Sequence, residues 1–194
     1  MKGYSSDLYI LAFDHRGTLT KGLLGVEGRA PSGDEVARVS SMKDIIFDGF
    51  LEARNQGIEG GDPAILVDEA FGIQVQERAK EMGIKFAAPV EKSGQKVFDF
   101  EYGDEFGEKI KEVNADFVKI LVRWNPDDDT DTRQIQGERI KTLSDWLDEN
   151  ERKFLLEFLV PASEQQLESV GGDQARYDSE IRPRLAVQVV EEMR

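Results

Sequence analysis

Five strand-length apolar blocks punctuate this chain, and charge follows the first four of them directly. The blocks are Leu8–Phe13, Ala64–Val67, Lys85–Val90, Phe117–Val122 and Lys153–Leu159, each rich in Ile, Val, Leu or Phe. Segments of helical period lie between them. Pro31-Ser32-Gly33-Asp34 opens one that carries Val36, Val39, Met42, Ile45, Ile46, Phe50 and Leu51, with Gly57 as its cap. Another runs from Ile73 to Met82 and ends at Gly83. Phe106–Val113 is short, and Thr130–Asn150 is long, with Ile135, Ile140, Leu143, Trp146 and Leu147 on one side. The last starts near Pro183, a residue favoured in a first helical turn, and runs to the end of the chain.

Strand–helix–strand alternation implies a parallel sheet with right-handed crossovers. Such sheets gather their ligand sites at the C-terminal strand ends. Polar residues stand there: Asp14-His15-Arg16, Asp68-Glu69, Glu91-Lys92 and Arg123-Trp124-Asn125. The expected fold is α/β, a (β/α) TIM-type barrel of which the first five βα units are present, forming one partial domain over residues 1–194. A doubly wound sheet competes, but it normally carries a Gly-rich phosphate loop early on, and Asp14-His15-Arg16-Gly17 is not one. A closed barrel needs eight strands and about 250 residues, so the chain is expected to be truncated, split or completed by another chain. An open five-stranded sheet would leave two edges and an apolar face uncovered, which makes a homo-oligomer one expectation.

Two ionisable residues interrupt the most apolar blocks: Lys119 in Phe117–Val122 and Glu157 in Phe154–Leu159, with no polar flank in either. Both strands therefore read as buried on both faces. An unpaired charge there costs several kcal/mol, to order of magnitude, unless its pKa moves. Strand period puts Lys119 on one face with Leu121 and Arg123, and Glu157 on one face with Leu155 and Leu159. If both faces line one interior, the two groups pair, either as a structural ion pair or as a proton-transfer pair. A lysine that attacks a carbonyl must be neutral, which a close carboxylate opposes. Asp14 reads as a helix cap or as an acceptor for substrate hydroxyls. Lys92 reads as a loop lysine or an active amine, and Arg16 and Arg123 as anion clamps or structural ties. His15 reads as a hydrogen-bonding residue rather than a base.

Bulk properties narrow the field. The formal charge is −14, from 39 acidic against 25 basic residues, without a basic patch, which argues against nucleic acid or an anionic membrane as partner. Hydrophobic residues make up 39%, with eleven Phe, which argues against global disorder. No apolar run approaches the ~20 residues of a membrane span, and Leu8–Phe13 is too short for a signal sequence. Cysteine is absent and histidine occurs once, so neither a thiolate nor a histidine-rich metal site is expected. Asp127-Asp128-Asp129 reads as an acidic turn before a helix. The expectation is a cytoplasmic chain with no metal and no cofactor.

The ordered strand-end segments Leu11–Gly17, Leu66–Gly72, Pro89–Gly94, Phe117–Arg123 and Leu156–Pro161 together resemble the class I aldolase-like barrel domain fused to the sugar kinase of myo-inositol catabolism. More distantly they are similar to tagatose-bisphosphate aldolase. The resemblance covers essentially the whole chain. It implies a lyase that cleaves a phosphorylated keto-sugar acid through a lysine Schiff base, with 5-dehydro-2-deoxygluconate 6-phosphate as a candidate substrate and a carbohydrate kinase domain as a partner. By the same resemblance Asp14 contacts substrate hydroxyls, Lys92 is an active-site lysine, Lys119 lowers a neighbouring amine's pKa and Glu157 is the acid/base. Arg16, Asp68, Glu69, Glu91 and Arg123 are candidates for substrate binding. In the resembled aldolases the Schiff-base lysine stands on a sixth strand, which is expected beyond Arg194. The competing expectation is a non-catalytic binding or regulatory barrel module that partners the kinase.

Overall fold

Five strands pair in parallel in the order in which they occur along the chain: β1 (Leu8–Ala12), β2 (Asp62–Leu66), β3 (Lys85–Pro89), β4 (Phe117–Arg123) and β5 (Lys153–Leu159). The structure is a computed structural model and describes residues 4–57 and 61–193. Met1–Gly3 and Arg194, which fall within the expected domain and, for Arg194, the expected final helix, lie outside the described residues. A strictly sequential order means that every crossover steps the same way. A doubly wound sheet reverses direction at a switch point, and this one does not.

The sheet also curls. Three strand spacings would separate β1 from β4 by about 14 Å if the sheet were flat. Instead Asp14, just beyond β1, meets Lys119 of β4 at 2.8 Å. Tyr4, ahead of β1, sets its ring edge-on to Phe117 with centroids 5.4 Å apart. The result is a half-barrel with a concave inner face and a convex face that carries the helices.

Each helix has a local cause. α1 (Gly17–Leu24) is short and follows β1 directly. α2 (Gly33–Asn55) starts at a reciprocal capping box between Ser32 and Glu35. α3 (Glu69–Glu81) is capped by the Asp68 carboxylate and ends before Gly83, which takes a left-handed φ of 64°. α4 (Phe106–Val113) follows a 3₁₀ turn, and α5 (Thr130–Glu149) is capped by Asp129. After β5 come α6 (Glu164–Ser169), α7 (Gln174–Arg176), a π-helical stretch at Tyr177–Ile181, and α8 (Arg182–Glu192) with Pro183 in its first turn.

The convex face packs in two clusters. Phe13, Ile65, Val67, Phe86 and Ala88 meet Phe47, Phe50, Val75 and Ala79 of α2 and α3. Val118, Ile120 and Val122 meet Ile140, Leu143 and Leu147 of α5 and Leu185 and Val189 of α8. On the concave face Leu66, Ala87 and Phe117, with Tyr4, Leu8, Ile10 and Leu155, close the N-terminal end of the sheet and leave its C-terminal end open.

All five expected strands form, within two residues of the expected ends. Four local expectations change. α1 and the short helices after β5 carry too little apolar periodicity to be foreseen. On α2 the buried stripe is Val39, Lys43, Phe47 and Phe50, while Ile45 is 70% exposed. On α5 Gln136 replaces Ile135 in the core, because its amide accepts from Phe98 N at 2.8 Å and donates to Arg123 O at 2.9 Å. β5 is not buried on both faces: among the described residues it pairs only with β4, and Leu159 is left exposed. The opposite edge, at β1, exposes Tyr9 and Leu11 beside Ile46. No described helix is long and apolar enough to cross a membrane.

Candidate functional site

The C-terminal end of the half-barrel opens into a cleft of about 880 Å³, and the charged residues that end the strands line it. β4 supplies Lys119, Leu121 and Arg123 to it, and β5 supplies Glu157, as the two-residue strand period requires. The β4–β5 register sets Leu121 opposite Glu157 and Lys119 opposite Leu155. Glu157 therefore reaches Lys119 diagonally, and its carboxylate lies 3.0 Å from the Lys119 ammonium.

Lys119 does not have one partner, as the pairing expectation held, but three among the described residues. Asp14 accepts at 2.8 Å and Glu91 at 3.2 Å in addition to Glu157. These carboxylates arrive from the ends of β1, β3 and β5, so one ammonium ties three separate strand ends together. Lys119 is 2% exposed, which deprives its charge of water. Burial pulls its pKa down, but the charges of Glu91 and Asp14, with hydrogen bonds to Asp14 and Glu157, outweigh that, and the net shift is upward. Lys119 is held as an ammonium, the wrong state for a nucleophile and the right one for stabilising negative charge.

Glu91 sits at the floor of the cleft and joins two cations. Its Oε1 accepts from Lys119 and, at 3.0 Å, from Arg16 Nη2, which also donates to the Glu91 carbonyl at 2.9 Å. Its Oε2 is buried and has no partner among the described residues. Arg16 reaches further to Glu101, at 3.4 Å. Four carboxylates (Asp14, Glu91, Glu157 and Glu101) thus share two cations. Burial pushes the Glu91 pKa up, against the pull of Lys119 and Arg16.

That shift has a measurable sign. Glu91 ordinarily titrates near 4.5, and the folded chain holds its proton more tightly than the unfolded chain does. Its contribution to stability is therefore fully present below that pH and is lost as pH rises towards the raised value. Lys119, raised above 10.5, contributes at every pH below that and loses its contribution only in strong base. Urea denaturation at pH rising from 4.5 should accordingly show a decline that is shallower in Glu91→Gln, where Asp68, also raised by burial, still contributes. An unchanged slope in the variant would contradict the assignment.

The remaining candidates separate into those in the cleft and those outside it. Lys92 stands exposed on the rim, beside Ser93 and Gly94, and its ammonium meets no partner among the described residues. Arg123 lines the same wall and donates to the Gln95 carbonyl at 2.8 Å. His15 is exposed at the rim, with its carbonyl turned inward to Lys43. Asp14 caps no helix; the residue ahead of α1 is Arg16, and Asp14 faces Lys119 instead. Asp68 is absent from the main cleft: it is 1% exposed, pairs with Lys43 and caps α3 at Phe71 N. Glu69 also lies outside the cleft, paired with Lys109 at 2.6 Å and accepting from Tyr102 Oη at 2.8 Å. Asp127, Asp128 and Asp129 are used locally, accepting from Gln166, Asn125 N and Thr132 N.

Lys43 escaped the sequence reading. It is wholly buried, and its signal was a charge in the Val39–Phe47–Phe50 stripe of α2, four residues from each neighbour on the face. The Ile45-Ile46 pair nearby drew the apolar face to the wrong side of the helix.

The chain matches a family model described as "Uncharacterized protein conserved in bacteria (DUF2090)" over residues 2–183. A search of curated proteins found no match.

Proposed function

The chain belongs to this DUF2090 family, and from the geometry of its cleft we propose that it is the aldolase-type half of a TIM-type barrel, acting on a phosphorylated keto-sugar acid. The observation that carries the reading is the Lys119 ammonium held by carboxylates from three strand ends, at the floor of a cleft large enough for a sugar phosphate. The sequential strand order, the curl and the placement of charge at the C-terminal strand ends support the barrel. A cytoplasmic location fits an acidic chain with phosphorylated substrates.

In a retro-aldol step a neutral lysine amine condenses with the substrate ketone, releasing water, and the imine takes up a proton from solvent to become an iminium. A base takes the proton from the hydroxyl on the β carbon. The Cα–Cβ bond then breaks, an aldehyde leaves, and the electron pair passes to the iminium to give an enamine. Protonation at carbon and hydrolysis release the ketone and restore the amine. Glu157 suits the base: it is the most exposed carboxylate of the cluster, so substrate can reach it, and it stands 3.0 Å from the Lys119 ammonium. Asp14 accepts from substrate hydroxyls. Arg16, Arg123 and Lys92 offer positive charge to the carboxylate and phosphate of the substrate.

Lys119 does not supply the amine in this scheme, because its neighbours keep it charged. Lys92, unpaired among the described residues, stands at the rim. The amine comes either from Lys92 or from a sixth strand, as in the resembled aldolases. 5-Dehydro-2-deoxygluconate 6-phosphate, cleaved to dihydroxyacetone phosphate and malonate semialdehyde, is the specific substrate of this proposal. Incubating the full-length protein with dihydroxyacetone phosphate and borohydride should leave a lysine adduct visible by mass spectrometry. Absence of an adduct on every lysine would remove the Schiff-base reading.

The upward shift of Lys119 also favours a second reading, a non-catalytic barrel module that binds a sugar phosphate beside a carbohydrate kinase. It predicts saturable binding of the substrate with neither adduct nor turnover.

A further inference from the structure

The Lys43–Asp68 pair is the most deeply buried charge in the described residues, and the proposed chemistry makes no use of it. Lys43 is 0% exposed and reaches from α2 to the ends of two strands. Its ammonium donates to the Phe13 carbonyl at 2.7 Å and the His15 carbonyl at 3.0 Å, and it pairs with the Asp68 carboxylate. Phe13 and His15 bracket Asp14. The backbone on both sides of Asp14 is thus tied to the convex helix layer, while its side chain faces Lys119 in the cleft.

We propose that Lys43 is a positioning residue: it fixes the segment after β1 so that Asp14 and Arg16 meet Lys119 and Glu91. The inference deepens the proposed function and rests on it for what the cluster does, but not for how the cluster is held. The chemistry of the position argues for aim rather than bulk stability. β1 has left the ladder by this point; Phe13 N still bonds Leu66 O, but the Phe13 and His15 carbonyls have passed beyond the strand pairing. Buried carbonyls need donors, and an ammonium supplies three on one flexible stem. An apolar side chain would fill the helix face equally well and would leave both carbonyls without donors. Asp68 completes the set: its Oδ2 caps α3 at Phe71 N, so the carboxylate that balances Lys43 is itself fixed. Gly72 leaves the space that this packing needs, since a Cβ there would come within 2.3 Å of Val67 Cγ2.

The test pairs Lys43→Met with Asp68→Asn in the full chain. The double variant removes equal and opposite charge, and Asn still caps α3, so what is lost is the pair of bonds to the carbonyls around Asp14. Its readout is the ¹⁵N ammonium signal of Lys119, assigned by its absence in Lys119→Arg. The signal should be sharp in the parent at neutral pH and lost to rapid exchange in the folded double variant, with substrate turnover down about 100-fold at little change in KM. A folded double variant with an unchanged Lys119 signal would overturn the proposal, because a merely structural pair lowers the melting temperature alone. Should that variant fail to fold, Asp68→Asn alone decides. It keeps both carbonyl bonds and must keep the Lys119 signal, whose loss in the folded protein would assign the aim to the ion pair instead. If the signal responds as expected while no adduct is trapped in the parent, the positioning stands and the aldolase reading falls.

Discussion

Lys119→Met is expected to cost about 3–5 kcal/mol of stability and, under the proposed aldol chemistry, to lower turnover by about 10³-fold. The two losses share one cause. Removing the ammonium leaves Asp14, Glu91 and Glu157 converging on an apolar side chain, with Arg16 the remaining cation in contact with Glu91. Two of those carboxylates are largely shielded from water and cannot disperse their charge into it. Destabilisation should be greatest at neutral pH and should shrink in acid as the carboxylates take up protons. Urea denaturation at pH 7 checks the first effect and turnover of the keto-sugar phosphate the second. Lys119→Arg should recover part of the stability and little of the rate, because a planar guanidinium cannot place one donor on each of three strand ends. A Lys119→Met variant within 1 kcal/mol of the parent would show that the ammonium does not hold the strand ends together.

The second large effect falls at the other buried lysine. Lys43→Met should also cost about 3–5 kcal/mol, since it strands Asp68 as an unpaired buried carboxylate. Burial already pulls Lys43 down and pushes Asp68 up, each partly offset by the charge of the other. At about 2–4 °C per kcal/mol for a chain of this length, the melting temperature should fall by roughly 10 °C. Adding Asp68→Asn should restore the part of the loss due to the unpaired carboxylate, while the Phe13 and His15 carbonyls stay without their donor. Lys21 provides the contrast. It pairs with Glu27 at 2.6 Å, but its side chain is 62% exposed, and Lys21→Met should change stability by less than about 0.5 kcal/mol. Thermal denaturation of the three variants separates these cases. Equal effects at positions 43 and 21 would contradict the burial argument.

Much of the scaffold was legible because short apolar blocks bounded by turn residues have few other ways to fold. The parallel order followed from the helical segments between them, and the face shared by Lys119, Leu121 and Arg123 from the strand period. Glu157 was legible as the partner of Lys119 for the same reason. Three features were not. Glu91 and Asp14 join Lys119 only because the sheet curls, and curl is a property of five paired strands rather than of any one segment. Lys43 was hidden by Ile45 and Ile46, whose exposure depends on which side of α2 meets the sheet. Gln136 was passed over for Ile135 because its value lies in two backbone groups far from it in sequence, Phe98 N and Arg123 O. Asp68 was misread in the other direction: a polar residue after a strand can serve a helix cap and a buried pair as readily as a ligand.

The cleft works as described only with Lys119 as a charged holder of carboxylates rather than an attacking amine. Titration of its ε carbon by NMR, with selectively labelled lysine and assignment by Lys119→Arg, measures that state directly. Lys119 should remain protonated at neutral pH and titrate above the ordinary lysine value of 10.5. A midpoint shifted downward to near neutrality would make Lys119 the nucleophile and contradict its role as a charged holder.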